Sequence, residues 1–321
     1  VVPKLLIMGA AFMLWSLLAG FVLLVLGGEA LVRGSVALAR ALGLSPLFIG
    51  IALVGFGTST PELVTSLQAA FADSPGIAVG NVVGSNIANI LLILGIGALL
   101  LPVACDPKAF YRDGAVLVVS AVALTVVVLI GHLGRWTGLV FVAAVIAYVV
   151  FTYIKESRDP DEAAAVYEAE AALQMGSRKL TILTSLALAV VGIAVTIFGA
   201  HLLVTGAIQL AASAGVSEAV IGLTVVAIGT SLPELVTAVI AALKKQGDVA
   251  FGNIIGSNIY NTFGILGITA AVHPLEVPVE IIEFDIWVML AATVMMLLFA
   301  VSGWRVSRGE GAVLFGLYIL Y

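Results

Sequence analysis

Long apolar runs alternate with short polar segments along the whole chain. Ten such runs predict helices, and most are close to the roughly 20 residues that span a hydrocarbon core of about 30 Å. Their predicted limits are 5–32, 46–72, 77–101, 113–131, 136–154, 180–200, 218–243, 249–272, 284–302 and 309–321. The apolar pattern continues past the first and sixth runs, so we expect these helices to extend towards residues 41 and 214. The pattern predicts an all-α membrane protein with ten transmembrane helices.

The composition supports this prediction. Hydrophobic residues make up 62% of the chain and charged residues 10%, against about 45–50% and about 25% in soluble domains. A single protein core cannot bury so many hydrophobic side chains, so some of them must face lipid. The chain has no basic stripe, which argues against a nucleic-acid partner. Its single cysteine, Cys105, has no partner for an internal disulfide.

Basic residues are distributed unevenly between the two sides of the predicted membrane layer. With ten spans, Lys4 and Arg135 lie on one side and the other 12 of the 14 Lys and Arg residues on the opposite side. The positive-inside rule makes the richer side cytoplasmic and places both termini outside. We expect a multi-pass protein of the plasma membrane (the cell inner membrane). Residues 155–179 form the predicted cytoplasmic linker, whose Ala- and Glu-rich sequence indicates a short surface helix.

The sequence contains the same pattern twice, 172 residues apart. From 43–102 to 215–274 the two copies align without a gap and share 29 of 60 residues. The first motif is Gly57-Thr58-Ser59-Thr60-Pro61-Glu62, repeated as Gly229-Thr230-Ser231-Leu232-Pro233-Glu234. The second is Gly80-Asn81-Val82-Val83-Gly84-Ser85-Asn86-Ile87-Ala88-Asn89, repeated as Gly252-Asn253-Ile254-Ile255-Gly256-Ser257-Asn258-Ile259-Tyr260-Asn261. Each half holds five predicted helices, an odd number, which predicts two inverted repeats, 1–154 and 180–321.

Oxygen-bearing side chains of both copies lie near the middle of predicted spans. A carboxylate at that depth costs on the order of 2.5–3.5 kcal/mol, so Glu62 and Glu234 must face something polar. Helical spacing places Thr58 and Ser59 on the same face as Glu62, and Ser85 on the same face as Asn89. The candidate ligand side chains are Thr58, Ser59, Glu62, Ser85, Asn89, Thr230, Ser231, Glu234, Ser257 and Asn261.

Two of these helices are predicted to be broken. Gly55, Gly57 and Pro61 weaken the first copy, and Ala227, Gly229 and Pro233 weaken the second less strongly. A break exposes backbone carbonyls to whatever fills the cavity. Non-helical backbone at this depth is tolerated where it lines such a cavity or is buried in protein.

The candidate ligands are hard oxygen donors with no His or Cys among them, which argues against zinc, copper or nickel. Calcium takes six to eight oxygens in a flexible cage. Two carboxylates neutralise one divalent cation, whereas about three sodium ions in overlapping positions leave one positive charge, which predicts electrogenic exchange. No cofactor is expected apart from transported calcium and sodium. The predicted partners are these ions and the lipid bilayer, with no obligate protein partner.

The same motifs have structural interpretations. Ser-x-x-Glu is a helix capping box, and Gly80-x-x-x-Gly84 and Gly252-x-x-x-Gly256 favour close helix packing. Other helix faces carry Asn81, Asn86, Asn253 and Asn258, for which interhelical hydrogen bonds are the favoured role. Glu29 lies four residues before Arg33, and its repeat partner is His201. For both we favour a structural or gating role over ion ligation.

At these motifs the chain resembles the cation/calcium exchanger superfamily, particularly the prokaryotic sodium/calcium exchangers. The resemblance implies an ion-binding core of the second, third, seventh and eighth helices, past which the first and sixth slide. It also implies that the ten side chains above are ion ligands, and it adds the carbonyls of Gly55 and Ala227. One position departs from the family pattern. Some archaeal and potassium-dependent relatives carry Asp where this chain has Asn261, which argues against potassium co-transport.

The resulting hypothesis is a secondary active antiporter, not an enzyme, that exchanges sodium for calcium by alternating access. A proton/calcium antiporter would use the same carboxylates, and a cation channel is an alternative from another class. An intramembrane hydrolase using Ser59 or Ser231 lacks a His or Lys placed as a base.

Overall fold

The computed structural model of the chain describes residues 2–42, 44, 46–72, 75–105, 107–158, 181–213 and 227–321. Within these ranges the regular structure is helical apart from four strands of two residues each. The prediction of an all-helical chain is therefore confirmed for these residues.

The helices of the first half follow the predicted runs. Helix α1 is Val2–Leu42, and the second run divides into α2 (Pro46–Ile49), a π-helical segment (Gly50–Gly55), α3 (Phe56–Thr58) and α4 (Thr60–Phe71). The third run comprises α5 (Pro75–Ile87), a π-helical segment (Ala88–Leu94) and α6 (Gly95–Leu100). Helices α7 (Pro107–Ile130) and α8 (Arg135–Arg158) complete this half.

The second half has the corresponding elements. Helix α9 is Ile182–Ser213, and after it come α10 (Ala227–Thr230) and α11 (Leu232–Leu243). The next run comprises α12 (Gly247–Ile259), a π-helical segment (Tyr260–Leu266) and α13 (Gly267–Val272). A further π-helical segment (Ile281–Asp285) leads into α14 (Ile286–Gly303), and α15 is Arg308–Leu320.

The two predicted long helices are confirmed, since α1 has 41 residues and α9 has 32. Two other predictions lie wholly or partly outside the described residues. The surface helix expected within 155–179 falls mainly in 159–180, and the start expected for the seventh helix falls in 214–226.

Much of the outer surface of the helices is apolar. Among the described residues, six helical stretches are long and apolar enough to cross a membrane. Large apolar side chains point outward, for example Trp15 (71% exposed), Phe151 (58%) and Leu298 (65%). Exposed apolar area on this scale marks contact with lipid or with another protein, and its spread over many helices favours lipid.

Helices α1 and α9 run antiparallel in close contact. Gly20, Gly27 and Gly34 lie seven residues apart, about two helical turns. A Cβ added to each would lie 2.5 Å from a backbone nitrogen of α9, at Leu203, Thr196 and Ala189 in that order. On the other side of the contact, Gly192 faces Leu31 and Gly199 faces Leu24. Only glycine lets two helix backbones approach this closely. The residue numbers of the contacted positions in α9 fall as those in α1 rise, so the two helices run antiparallel.

The short strands link the two halves. Strand β1 (Val103–Ala104) pairs antiparallel with β4 (Arg305–Val306), and β2 (His132–Leu133) pairs with β3 (Leu275–Glu276). Strand β3 is the repeat equivalent of β1, 172 residues later, and the repeat equivalent of β2 is 304–305, which overlaps β4. Each strand therefore pairs with a strand of the other half, and the two strand pairs are equivalent under the repeat symmetry.

The packing interpretation of the Gly-x-x-x-Gly motifs is tested in the second copy. A Cβ on Gly256 would lie 2.6 Å from the Cα of Ile51, so the packing interpretation is confirmed there. Among the described residues, a Cβ on Gly84 would meet no atom within 4 Å, and one on Gly80 would meet the Ile281 side chain at 3.8 Å. The repeat equivalents of Ile51 and Gly50, residues 223 and 222, lie outside the described residues, so close packing at Gly80 and Gly84 stays a prediction.

We predict that Gly27→Ala and Gly199→Ala each lower the free energy of unfolding by about 1–3 kcal/mol, because each added methyl group must force two helix backbones apart. Thermal unfolding of the purified protein in detergent measures the effect. Gly97→Ala is the matched control, because a Cβ at Gly97 meets no atom of the described residues within 4 Å. Equal melting temperatures for all three variants would contradict the close α1–α9 contact.

Candidate ion-binding site

The predicted helix breaks lie at Ser59 and Ser231. Ser59 leaves the helical conformation (φ −81°, ψ 11°) between α3 and α4, and Ser231 does the same (φ −91°, ψ 8°) between α10 and α11. Proline stands in the first turn of both following helices. Proline is tolerated there because the first turn has free N–H groups in any case. Each break therefore places a new helix N-terminus inside the protein, with Glu62 or Glu234 in its first turn.

The two halves exchange hydrogen bonds at these breaks. Ser59 Oγ donates to Glu234 Oε1 (2.9 Å), and Ser231 Oγ donates to Glu62 Oε1 (3.2 Å). Both glutamates are 1% exposed. Since each serine lies three residues before the glutamate of its own half, the two carboxyl groups meet in one buried site.

The capping-box interpretation is wrong at both breaks. Neither Ser59 nor Ser231 makes a side-chain capping bond to its own helix. The start of α15 shows the motif in full, where Ser307 Oγ accepts from the Glu310 backbone N–H and Glu310 accepts from the Ser307 N–H at 2.7 Å. At the two breaks, the serine hydroxyl instead reaches the carboxyl group of the opposite half.

Five buried acceptor oxygens at these motifs have no hydrogen-bond partner in the described part of the chain. They are Glu62 Oε2, Glu234 Oε2, Asn89 Oδ1, Asn258 Oδ1 and Asn261 Oδ1. An unpartnered buried acceptor costs about 1–3 kcal/mol, and more if it is charged. Native proteins leave few such atoms, and those that occur call for an explanation. Four of the five belong to candidate ligands, and a bound cation would supply the missing partner for those four.

Thr58 and Ser257 make hydrogen bonds beside the first break. Thr58 Oγ1 donates to the Val54 carbonyl (2.9 Å), and Ser257 Oγ donates to the Gly55 carbonyl (3.2 Å). The Gly55 carbonyl also accepts from the Ser59 backbone N–H (3.2 Å), so the first break and α12 meet at this oxygen. Ser85 is buried and Thr230 is half-buried. Ala227 is the first residue of α10.

Asparagines next to the candidate ligands support the glutamate helices. Asn81 Nδ2 donates to the Glu62 backbone carbonyl (3.1 Å), and its repeat partner Asn253 donates to the Glu234 carbonyl (3.3 Å). Asn86 Nδ2 donates to Thr262 Oγ1 (3.2 Å). The predicted interhelical role is confirmed for these three. It is wrong for Asn258, which donates to the Ile254 carbonyl of its own helix (2.8 Å).

The π-helical segments are a feature that the sequence pattern did not predict. Asn89 and Asn261 are each the second residue of such a segment. The expected shared face of Ser85 with Asn89, and of Ser257 with Asn261, assumed regular α-helical spacing. π-helical turns are rare and frequently occur at functional sites.

Glu29 is engaged in ion pairs at the end of α11. Its Oε1 lies 2.6 Å from Lys244 Nζ and 3.4 Å from Arg33 Nε. The side chain is 37% exposed. Pairing with two cations supports the structural interpretation, in which Glu29 connects α1 to the helix that carries Glu234. His201, its repeat partner, is exposed.

The donor set matches hard cations. Across the described residues, no three His, Cys, Asp or Glu side chains come together as a possible metal cluster. The site instead combines two carboxylates with hydroxyl, amide and backbone oxygens, which suit calcium and similar ions better than transition metals.

Sequence comparison assigns the chain to a family. The family described as "Sodium/calcium exchanger protein" matches residues 12–154 and 184–321, which is most of the chain. The chain belongs to this exchanger family. It is therefore a multi-pass membrane transporter and not an enzyme.

Relatives of this exchanger match it over nearly their whole length. "Sodium/calcium exchanger MaX1" of Methanosarcina acetivorans is 35% identical and covers 95% of this chain and 96% of its own. "Inner membrane protein YrbG" of Escherichia coli is 34% identical, with 95% and 94% covered. A solved structure of the sodium-calcium exchanger NCX_Mj, soaked with 10 mM Na+ and 10 mM Sr2+, matches with a TM-score of 0.83 at 30% identity over 97% of both chains. The fold of this exchanger is thus an all-α membrane fold.

We predict that Ser59→Ala is coupled more strongly to Glu234→Ala than to Glu62→Ala. A hydrogen bond to a charged group contributes about 1.5–3 kcal/mol, and a double-mutant cycle on the unfolding free energy should recover a coupling of that order. The Ser59/Glu62 cycle is the comparison and should show a clearly smaller coupling, because no side-chain hydrogen bond joins these two residues. Coupling of Ser59 to Glu62 without coupling to Glu234 would instead support the interpretation of Ser59 and Glu62 as a capping box.

Proposed function

We propose that this exchanger moves calcium out against inward-flowing sodium by alternating access. The observation that carries the proposal is the meeting of Glu62 and Glu234, each bonded to the other half's serine and each with one unpartnered oxygen. Two carboxylates match the charge of one calcium ion. Neither half supplies enough negative charge alone.

The proposed ligands extend the carboxylate pair to the six to eight oxygens that calcium takes. The pair and the amide oxygens of Asn89 and Asn261 supply buried acceptors without other partners. The hydroxyls of the candidate set and the carbonyls of Gly55 and Ala227 complete the cage. The full proposed set is Thr58, Ser59, Glu62, Ser85, Asn89, Thr230, Ser231, Glu234, Ser257 and Asn261, with the two carbonyls.

Sodium is the proposed counter-ion, and the exchange is electrogenic. The number of oxygens exceeds what one calcium needs, which leaves room for about three sodium ions in overlapping positions. Three sodium ions against two carboxylates leave one positive charge to move with each cycle. The names of MaX1 and NCX_Mj, both sodium/calcium exchangers, support this choice of counter-ion.

The charge of the site also favours exchange over leak. Two bare carboxylates are costly to hold away from water. An empty site therefore resists the reorientation that buries it, whereas a site filled with calcium or sodium does not. Return without a cargo ion is disfavoured, and transport in one direction is coupled to transport in the other.

We further propose that the fold consists of ten transmembrane helices in two inverted repeats, 1–154 and 180–321, joined by a cytoplasmic linker at 155–179. The antiparallel contact of α1 with α9 and the exchanged pairing of β1 and β2 with β4 and β3 support this symmetry. The division of the 14 basic residues into 2 and 12 places both termini outside. The plasma membrane is the proposed location.

We expect Glu62→Gln and Glu234→Gln each to lower sodium-driven calcium flux by at least about tenfold, the effect of losing roughly 1.4 kcal/mol of charged ligation. The measurement is uptake of radioactive calcium by vesicles that contain the purified protein and internal sodium. Glu276→Gln is the matched control, because Glu276 is exposed and lies beside His132. Wild-type flux in either site variant would contradict the proposal.

The same vesicles separate the alternatives. Uptake that follows a pH gradient and ignores sodium would identify a proton/calcium antiporter. Calcium entry without any counter-ion inside would identify a channel.

A further inference from the structure

The two copies of the second motif differ chemically in the residue that follows the last asparagine. Ile90 follows Asn89, whereas Thr262 follows Asn261. Both residues are almost completely buried, Ile90 at 0% and Thr262 at 1% exposed. A buried hydroxyl at one of two related positions changes which hydrogen bonds that half can form.

A chain of hydrogen bonds starts at this threonine and ends at Asn261. Asn86 Nδ2 donates to Thr262 Oγ1 (3.2 Å) and to Met289 Sδ (3.7 Å). Asn86 Oδ1 in turn accepts from Asn261 Nδ2 (3.1 Å). Asn86 is 3% exposed and Asn261 is 1% exposed, so water does not compete for these bonds.

These hydrogen bonds fix the orientation of the Asn261 amide. The amide has a donor end, the NH2 group, and an acceptor end, the oxygen. Its donor end is held by Asn86, and its oxygen is buried with no hydrogen-bond partner among the residues that the structure describes. Rotation of the amide by half a turn would direct the NH2 group, which repels cations, to the place where the oxygen now lies. It would also break the bond to Asn86.

The other half lacks this arrangement. Asn258, the repeat partner of Asn86, donates to the Ile254 carbonyl of its own helix at 2.8 Å. Thr262 offers Asn86 a hydroxyl that accepts its hydrogen bond. The equivalent residue in the other half is Ile90, whose alkyl side chain cannot accept one from Asn258. The repeat symmetry is therefore broken at Thr262, and only the Asn261 amide is tied to an amide of the opposite half by the bonds described.

We propose that Thr262 and Asn86 are positioning residues that hold the Asn261 amide with its oxygen towards the transported divalent cation. This inference rests on the proposed function, in which Asn261 is an ion ligand. Thr262 and Asn86 do not touch the ion themselves. Their effect is to orient one ligand before the cation arrives, which lowers the cost of binding it.

The test compares four variants of the full-length protein: Thr262→Val, Thr262→Ser, Asn86→Ala and the control Thr125→Val. Valine has nearly the shape of threonine but removes the acceptor, and serine restores it. Thr125 is the matched control, because it is buried and its hydroxyl donates to the Ala121 carbonyl of its own helix. The readouts are the half-saturating calcium concentration and maximal rate of sodium-driven flux, and the rise in melting temperature on adding calcium.

We expect Thr262→Val to raise the half-saturating calcium concentration about fivefold, which corresponds to about 1 kcal/mol, with the maximal rate nearly unchanged. Thr262→Ser and Thr125→Val should stay within about twofold of wild type. Asn86→Ala should weaken calcium binding at least as much as Thr262→Val. Combining Asn86→Ala with Thr262→Val should add little, since both act through one chain of bonds.

Several outcomes would overturn the inference. These are wild-type calcium dependence in Thr262→Val, failure of serine to restore it, or additive effects of Asn86→Ala and Thr262→Val. Asn86→Ala provides a second test if Thr262→Val does not fold. Absence of sodium-driven flux in the wild type would count against the proposed function, and the calcium-induced melting shift would then still test the positioning role.

Discussion

Burial of two carboxyl groups between the halves of the chain is the constraint on which the rest of the structure depends. Glu62 and Glu234 are almost completely removed from solvent in a protein whose outer surface is apolar. Each therefore needs partners that the protein must supply. The serine of the opposite half supplies one, and one oxygen of each carboxyl group remains without any in the described residues.

The local breaks in the helices follow from this constraint. At each break the serine hydroxyl donates to the carboxyl group of the opposite half. Proline lies in the first turn of the helix that follows, whose N-terminus favours the negative charge of its own glutamate. Asn81 and Asn253 then hold the backbone at the two glutamates, so that the first turns of α4 and α11 are fixed from the neighbouring helix.

Two kinds of contact surround the site, symmetric and asymmetric. The glycines of α1 and α9 and the exchanged strand pairs obey the repeat, and they keep the halves in register. Glu29 with Lys244, and Thr262 with Asn86, have no equivalent in the other half, because His201 replaces Glu29 and Ile90 replaces Thr262. A duplicated scaffold thus carries residues that make its two halves chemically different, as a carrier with two unlike faces requires.

The sequence predicted the helices well, because apolar length is a strong signal, and its exact duplication predicted that Glu62 and Glu234 come together. Pro61 and Pro233 marked the breaks, and the repeated glutamates marked the site. The π-helical segments around Asn89 and Asn261 were not predictable, because no residue pattern distinguishes an inserted turn from regular helix. The partner of Asn258 was not predictable either, because it depends on whether position 90 offers a hydroxyl. Such details depend on contacts across the fold.

The most direct measurement is the anomalous scattering of a protein crystal soaked with calcium. If Glu62 and Glu234 form one shared site, a single strong peak will lie about 2.3–2.6 Å from oxygens of both carboxyl groups. A peak bonded to only one of them, or a calcium site elsewhere with none between them, would contradict the account.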